Sequence, residues 1–297
     1  MNFYPVDYIE PVFRPPSEAY SFILPLTNGC SWNKCTFCEM YTQEQKKFRA
    51  RKDEEVFADI ERVARAVPQT KRVFLADGDA MILPTRRLKV VLEKLRVSFP
   101  NLERVTSYCL PRNLAKKSVE ELKELRELGL QMLYVGLESG DDFVLEMVNK
   151  GESYESSVSA LKKIREAGIK SSVMVLNGLG GQRYSQQHAL NSAKAINEAQ
   201  PDYVSTLVVS FPLGEERYRE RFTDWEPLNQ KQLFRELYQF IEHLELENTT
   251  FRSDHASNYL PLKGVLGQDK KRLLGELDMA INQPENVRLR EEWQRGL

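Results

Sequence analysis

One alternation dominates the chain: a short β-rich run, then an amphipathic stretch at helical period, six times over. The β-rich runs fall at residues 21–26, 72–76, 104–108, 132–136, 169–176 and 203–209. Helical periodicity follows at 54–67, 85–99, 118–128, 141–148 with 154–167, 185–199 and 230–245, and again at 270–281. Strands separated by helices must run parallel, because a tight turn joins only antiparallel neighbours. Right-handed crossovers repeated in one direction wind toward a barrel, and six units fall short of the eight that close one. The fold class predicted is therefore α/β, a partial (β/α)6 TIM-like barrel with a C-terminal helical extension. Residues 21–228 form the expected core, preceded by an N-terminal extension at 1–20 and followed by a helix and tail at 229–297.

Composition narrows the setting. Of 297 residues, 41% are hydrophobic and 29% charged, enough apolar material for a large core. Lys and Arg number 42 against 43 Asp and Glu, so no global field attracts nucleic acid or an anionic membrane. The N-terminus lacks the basic start and apolar centre of a signal peptide, and no apolar run reaches membrane-spanning length. A cytoplasmic location is the expectation. Thiols stay reduced there, so the four cysteines read as ligands, nucleophiles or core residues rather than disulfides.

In such folds chemistry sits at the C-terminal ends of the strands. After the first strand comes Gly29-Cys30-Ser31-Trp32-Asn33-Lys34-Cys35-Thr36-Phe37-Cys38-Glu39-Met40-Tyr41. Three thiolates within nine positions converge on one small object, and soft metal centres take thiolate ligands. A structural zinc wants a fourth ligand, and no further Cys or His is near in sequence. A 4Fe–4S cube on three thiolates leaves one iron open to an exogenous group. A zinc site or three buried thiols is the competing reading.

This loop resembles the cluster motif of the radical S-adenosylmethionine (SAM) superfamily, with Phe37 before the last cysteine. The usual spacing is three residues and then two; here it is four and then two, similar to uncharacterised iron–sulfur oxidoreductases of that superfamily. The resemblance implies a 4Fe–4S cluster on Cys30, Cys35 and Cys38, SAM on its open iron, and cofactor contacts from Phe37 and Tyr41.

Later strand ends extend the resemblance in register. Ala76-Asp77-Gly78-Asp79 stands where the superfamily commonly has Gly-Gly-Glu. By that likeness Asp79 accepts the methionine ammonium and Gly78 lets the backbone approach, while Asp77 replaces the first Gly. Ser107-Tyr108-Cys109-Leu110-Pro111 is similar to a stretch of oxygen-independent coproporphyrinogen oxidases in which a Glu stands at the place of Tyr108. The acidic role does not carry over, which leaves Tyr108 as a candidate ribose contact. Cys109 is a candidate hydrogen-atom donor, with a buried inert thiol as the alternative. Gly136-Leu137-Glu138-Ser139 resembles the Gly-x-Glu-Ser stretch of methylthiotransferases and the elongator catalytic subunit. Lys150, twelve residues beyond Glu138, stands where relatives carry an Arg that pairs with the cofactor carboxylate. Lys keeps the charge and loses the bidentate fork. Asn177-Gly178-Leu179-Gly180-Gly181 is similar to a glycine-rich stretch that passes under the adenosyl group, with Gly178 as the contact.

Past the last strand, Arg252-Ser253-Asp254-His255-Ala256-Ser257-Asn258 is dense in hydrogen-bonding groups. His255 is a candidate acid or base, and the segment with His255 and Asn258 is expected to fold over the barrel mouth and help define the substrate pocket; the alternative is a turn capped by Ser257 and Asn258 with His255 as a packing residue. His188 and His243 lie in helical patterns expected to face solvent. The resemblance implies a radical enzyme with flavodoxin or ferredoxin as electron donor; the charge balance and the length left beside the core make a small molecule the expected substrate, with neither membrane nor nucleic acid as an expected partner. A non-catalytic iron–sulfur or zinc protein is the alternative.

Overall fold

The computed structural model describes residues 4–295. In chain order the elements are β1 (Phe22–Pro25), β2 (Thr27–Asn28), β3 (Arg49–Ala50), α1 (Asp53–Ala66), β4 (Arg72–Ala76), α2 (Thr85–Ser98), β5 (Arg104–Cys109) and α3 (Val119–Glu127). Then come β6 (Leu130–Glu138), α4 (Asp142–Met147), α5 (Tyr154–Glu166), β7 (Lys170–Asn177), α6 (Gly181–Ala199) and β8 (Tyr203–Val208). The chain ends with α7 (Glu216–Arg219), α8 (Gln230–Glu242), β9 (Thr250–Ser253), β10 (Leu262–Val265) and α9 (Leu266–Asn282). The main sheet has the order β1-β4-β5-β6-β7-β8-β9-β10, and β2 pairs with β3 apart from it. The pairs β1/β4, β4/β5, β5/β6, β7/β8 and β8/β9 are parallel, and β9/β10 is antiparallel.

All six expected strands are present, each in near-expected bounds. Two more, β9 and β10, extend the sheet inside what reads from sequence as a packed tail. Each is four residues long, too short for an alternation signal. Helix α6 begins at Gly181, before the expected 185, because Gly180 already has helical dihedrals and the Gln182 N–H bonds to the Glu226 carbonyl.

The chain divides into two compact units. The first holds residues 4–33, 38–135 and 162–171. On one face of its strands Phe22, Leu24, Val73, Leu75 and Val105 are buried, as are Val56, Ile60 and Val63 at helical spacing on α1. On the other face Ile23, Phe74 and Ala76 pack with Tyr108, Tyr134 and, from the N-terminal extension, Tyr8 and Val12. Burial on both faces is what a parallel sheet requires and explains near-continuous apolar strands. The Tyr8 hydroxyl donates to the Ile23 carbonyl (2.9 Å) and Tyr134 to the buried Glu18 carboxylate (2.6 Å), which fastens the extension to the strands. Helix α3 starts on a capping box in which Ser118 and Glu121 exchange side-chain and backbone bonds.

The second unit holds residues 34–37, 136–161 and 172–295. Its core joins Val144, Val148, Leu176, Leu179, Tyr218, Phe222 and Trp225, with Phe37 packed against them. Asp141 caps α4 by accepting the Val144 N–H at 2.9 Å. Among the described residues no helix is long and apolar enough to cross a membrane.

Candidate functional site: two strand-end carboxylates and a cysteine loop

In the first unit the loop after β1 meets the loop after β4. Gly29 and Gly78 both have positive φ (78° and 85°), and a Cβ at Gly78 would collide with the Gly29 carbonyl. Only glycine permits this main-chain approach. It places Ser31, one residue past Cys30, where its hydroxyl donates to Asp79 Oδ2. Asp79 is 1% exposed, and its Oδ1 is buried with no hydrogen-bond partner. Burial pushes the Asp79 carboxyl above its ordinary range; the Ser31 hydrogen bond, the nearby Asn113 amide and the charge of Arg112 oppose that push. The Arg112 guanidinium stacks 4.0 Å from the Trp32 ring centroid, over the cysteine loop.

The longer spacing between Cys30 and Cys35 is accompanied by a local turn. Asn33 is left-handed (φ 44°), a conformation Asn tolerates, and its side chain donates to the Tyr41 carbonyl at 2.7 Å. Tyr41 itself is buried, and its hydroxyl donates to Asp77 Oδ1 at 3.1 Å. Asp77 Oδ2 takes the Lys46 ammonium at 2.5 Å, with both side chains buried. Where the resemblance implies a glycine, this chain has built an ion pair, and nothing in the sequence singled out Lys46. Tyr41 therefore serves Asp77 through its hydroxyl. Burial, then the Asp77 charge, raises its phenol well above the ordinary value.

Tyr108 packs its ring edge-on to Phe74 (5.0 Å) and 6.2 Å from Tyr134; burial holds its phenol neutral. The Cys109 side chain is buried, and its thiol donates to the Leu110 carbonyl.

In the second unit β6 ends on Glu138, a non-glycine residue at φ 63°. Its Oε1 accepts from Lys150 Nζ at 3.0 Å, and its Oε2 is buried without a partner. Lys150, expected to serve the cofactor carboxylate, pairs with Glu138, and its Nζ lies 5.8 Å from the Phe37 ring centroid. The segment carrying Cys35 and Phe37 is tied to the turn before Lys150: Thr36 N–H bonds the Val148 carbonyl (2.9 Å) and Asn149 the Lys34 carbonyl (3.1 Å). Ser139 is fully buried, its Oγ 2.8 Å from His188 Nδ1. Gly178, at φ 85°, ends β7 and gives its N–H to Glu236 Oε1 at 2.6 Å. His188 is thus no solvated histidine: it is 1% exposed, because its helix is covered by α8. His243 is exposed, as expected.

The C-terminal candidates are turn-builders. Asn258 accepts the Val208 N–H (3.0 Å) and donates to the Thr206 carbonyl (2.8 Å) and Ser253 Oγ (3.2 Å), so its whole amide stitches β8 to β9. His255 Nδ1 accepts the Ser257 N–H at 3.1 Å, and burial, with the charge of Arg290, lowers its pKa. These bonds are those of a capped turn, the alternative weighed for this segment.

These residues fit the cofactors the sequence implies. All four cysteines are outside disulfides, and Cys30, Cys35 and Cys38 are partly exposed while Cys109 is buried. Among the described residues no three His, Cys, Asp or Glu side chains form a group for a single metal ion. A cubane instead takes each thiolate on its own iron. Asp79 Oδ1 and Glu138 Oε2 are buried acceptors that a cationic or hydroxylated ligand would satisfy.

The family model of the Radical SAM superfamily matches residues 24–196, more than half of the chain. The heme chaperone HemW of Bacillus subtilis is 24% identical over 180 residues, covering 59% of this chain and 46% of that one. Coproporphyrinogen III oxidase (HemN) from Escherichia coli aligns with a TM-score of 0.56 at 17% identity, over 75% of this chain and 52% of that one. Methylornithine synthase (PylB) aligns with a TM-score of 0.52 at 15% identity, over 87% and 81%. The structural likeness shows the fold, an α/β domain of the partial-barrel kind. The matched stretch spans less than half of the HemW chain.

Proposed function

The chain belongs to the radical SAM superfamily, and on that premise we propose that it is an enzyme that cleaves SAM and takes a hydrogen atom from a small-molecule substrate. Cys30, Cys35 and Cys38 hold the 4Fe–4S cluster in this reading. When bound and reduced, the cluster supplies the electron that splits SAM into methionine and the 5′-deoxyadenosyl radical that attacks substrate.

The protein's own residues bind and orient. Asp79 Oδ1 accepts the methionine ammonium, and Ser31 fixes the carboxylate for it by occupying Oδ2. Glu138 presents Oε2 to the cofactor, with Oε1 held by Lys150. The Lys150 ammonium has three hydrogens and can serve the methionine carboxylate while still bonded to Glu138. Gly178 brings main chain close to the adenosyl group, and Phe37 and Ser139 complete the surround. Flavodoxin or ferredoxin is the proposed reductant, and the cytoplasm the proposed location.

The observation that carries this reading is the pair of buried carboxylates, each with one oxygen satisfied and one without a partner. A scaffold or electron carrier has no use for them, since each costs desolvation. Anaerobic reconstitution with iron and sulfide, then SAM and dithionite, tests it. Formation of 5′-deoxyadenosine, lost in Cys30→Ala, Cys35→Ala and Cys38→Ala, is the expected outcome. Zinc uptake without iron, or intact SAM after reduction, would refute it.

A further inference from the structure

Glu236 of α8 is 1% exposed, and no role assigned above uses it. Its two oxygens are engaged: Oε1 accepts the Gly178 N–H and Oε2 the Ser185 hydroxyl, both at 2.6 Å. His188 of α6 stands on the same carboxylate, Nε2 3.9 Å from Oε1. Across its ring, Nδ1 lies 2.8 Å from Ser139 Oγ. That oxygen already accepts the Asp141 N–H at 3.0 Å. The Ser139 hydroxyl can give its hydrogen to Nδ1, an arrangement that turns an Nε2 proton toward the carboxylate. Helix α6 holds the same loop a second time, through Ser192 Oγ, which accepts the Gly140 N–H at 2.9 Å.

One carboxylate thus reaches two strand-end loops. It touches residues 178–181 directly, through Gly178, and residues 138–141 indirectly, through His188 and Ser139. Both loops carry backbone in the left-handed region, Glu138 at φ 63° and Gly178 at φ 85°, and such conformations persist when the surroundings over-determine them. An apolar side chain at 236 would strand the Gly178 N–H and the Ser185 hydroxyl without an acceptor and remove the carboxylate charge beside His188.

We propose that Glu236 and His188 are positioning residues whose carboxylate–imidazole contact locks loops 138–141 and 178–181 into one joint arrangement for the cofactor. This rests on reading Glu138 and Gly178 as cofactor contacts. A charge buried for stability alone is a poor account, because a well-packed apolar pair usually does as well or better.

Hydrogen–deuterium exchange on the cofactor-free protein reads the coupling. Glu236→Ala should speed exchange at least tenfold in peptides from both loops, with β7 and β8 unchanged. Glu236→Gln keeps an acceptor for Gly178 and should restore protection at 178–181 but not at 138–141. His188→Ala should loosen 138–141 alone. If Glu236→Ala loosens only 178–181, the joint lock is refuted. If that variant does not fold, Glu236→Gln and His188→Ala decide, and wild-type exchange at 138–141 in both overturns the proposal. Equilibrium dialysis of SAM against the reconstituted protein separates the two layers. Unchanged affinity in Glu138→Gln removes the cofactor reading, whatever the exchange shows. Weakened affinity in Glu138→Gln with wild-type affinity in Glu236→Gln and His188→Ala removes the positioning role.

Discussion

Lys150 Nζ lies 3.0 Å from Glu138 Oε1, with the two side chains only 5% and 6% exposed. A buried pair of this kind is costly to break from one side, because the survivor is left charged and unpaired. Lys150→Met should lower unfolding stability by about 3–5 kcal/mol. Glu138→Gln combined with Lys150→Met should recover much of that loss. Urea denaturation of the two single variants and the double gives the coupling energy; additive effects would show the pair to be independent.

Asp79 sets a pH dependence with a definite sign. Its carboxyl is raised in the fold, chiefly by burial, so the neutral form favours folding. That contribution is complete below the unfolded carboxylate range and is lost as pH rises through the folded value. Asp79→Asn should flatten this part of the melting profile and melt no lower than wild type near neutral pH. SAM affinity should still fall by at least about tenfold, or 1.4 kcal/mol, since an amide cannot neutralise an ammonium. In the wild type, affinity should weaken as pH drops through the raised value. Thermal melts across pH and equilibrium dialysis check both halves.

Lys46 and Asp77 are 1% and 2% exposed at a 2.5 Å separation. Lys46→Met leaves the Asp77 carboxylate without its counter-charge, supported by the Tyr41 hydroxyl and the Phe13 backbone alone among the described contacts, and should cost about 3–5 kcal/mol. Tyr41→Phe removes one hydrogen bond to a charged group and should cost about 1.5–3 kcal/mol. Chemical denaturation ranks the two; equal losses would contradict the ordering.

Asn258 offers the opposite test, stability without chemistry. Asn258→Ala strands the Val208 N–H and should cost about 1–3 kcal/mol. SAM cleavage per folded molecule should be unchanged, as it should in His255→Ala. A selective loss of cleavage in well-folded protein would return these residues to the active site.

Much of this was legible in sequence, for identifiable reasons. The strand–helix period announces β1 and β4–β8, and residues just past parallel strands read as chemistry, which singled out Asp79, Glu138 and Gly178. Contacts made by distant side chains gave no signal. Glu236 meets Gly178 across 58 positions, and Lys46 meets Asp77 across 31. A glutamate in an amphipathic helix and a lysine in a polar loop read as solvated until packing encloses them. The polar run around Asn258 read as a lid because a dense set of hydrogen-bonding groups looks the same whether it serves a ligand or its own backbone.

The contact of Gly29 with Gly78 has a consequence for the cysteine motif. The two loops share a fixed point made of main chain, which holds as long as residues 29 and 78 stay glycine. That point lies immediately before Cys30, and the additional residue of the longer spacing falls after it, where left-handed Asn33 takes up the slack. Lengthening residues 31–33 therefore leaves Cys30 anchored against the Asp79 loop. The motif is elastic in its count and clamped at one end.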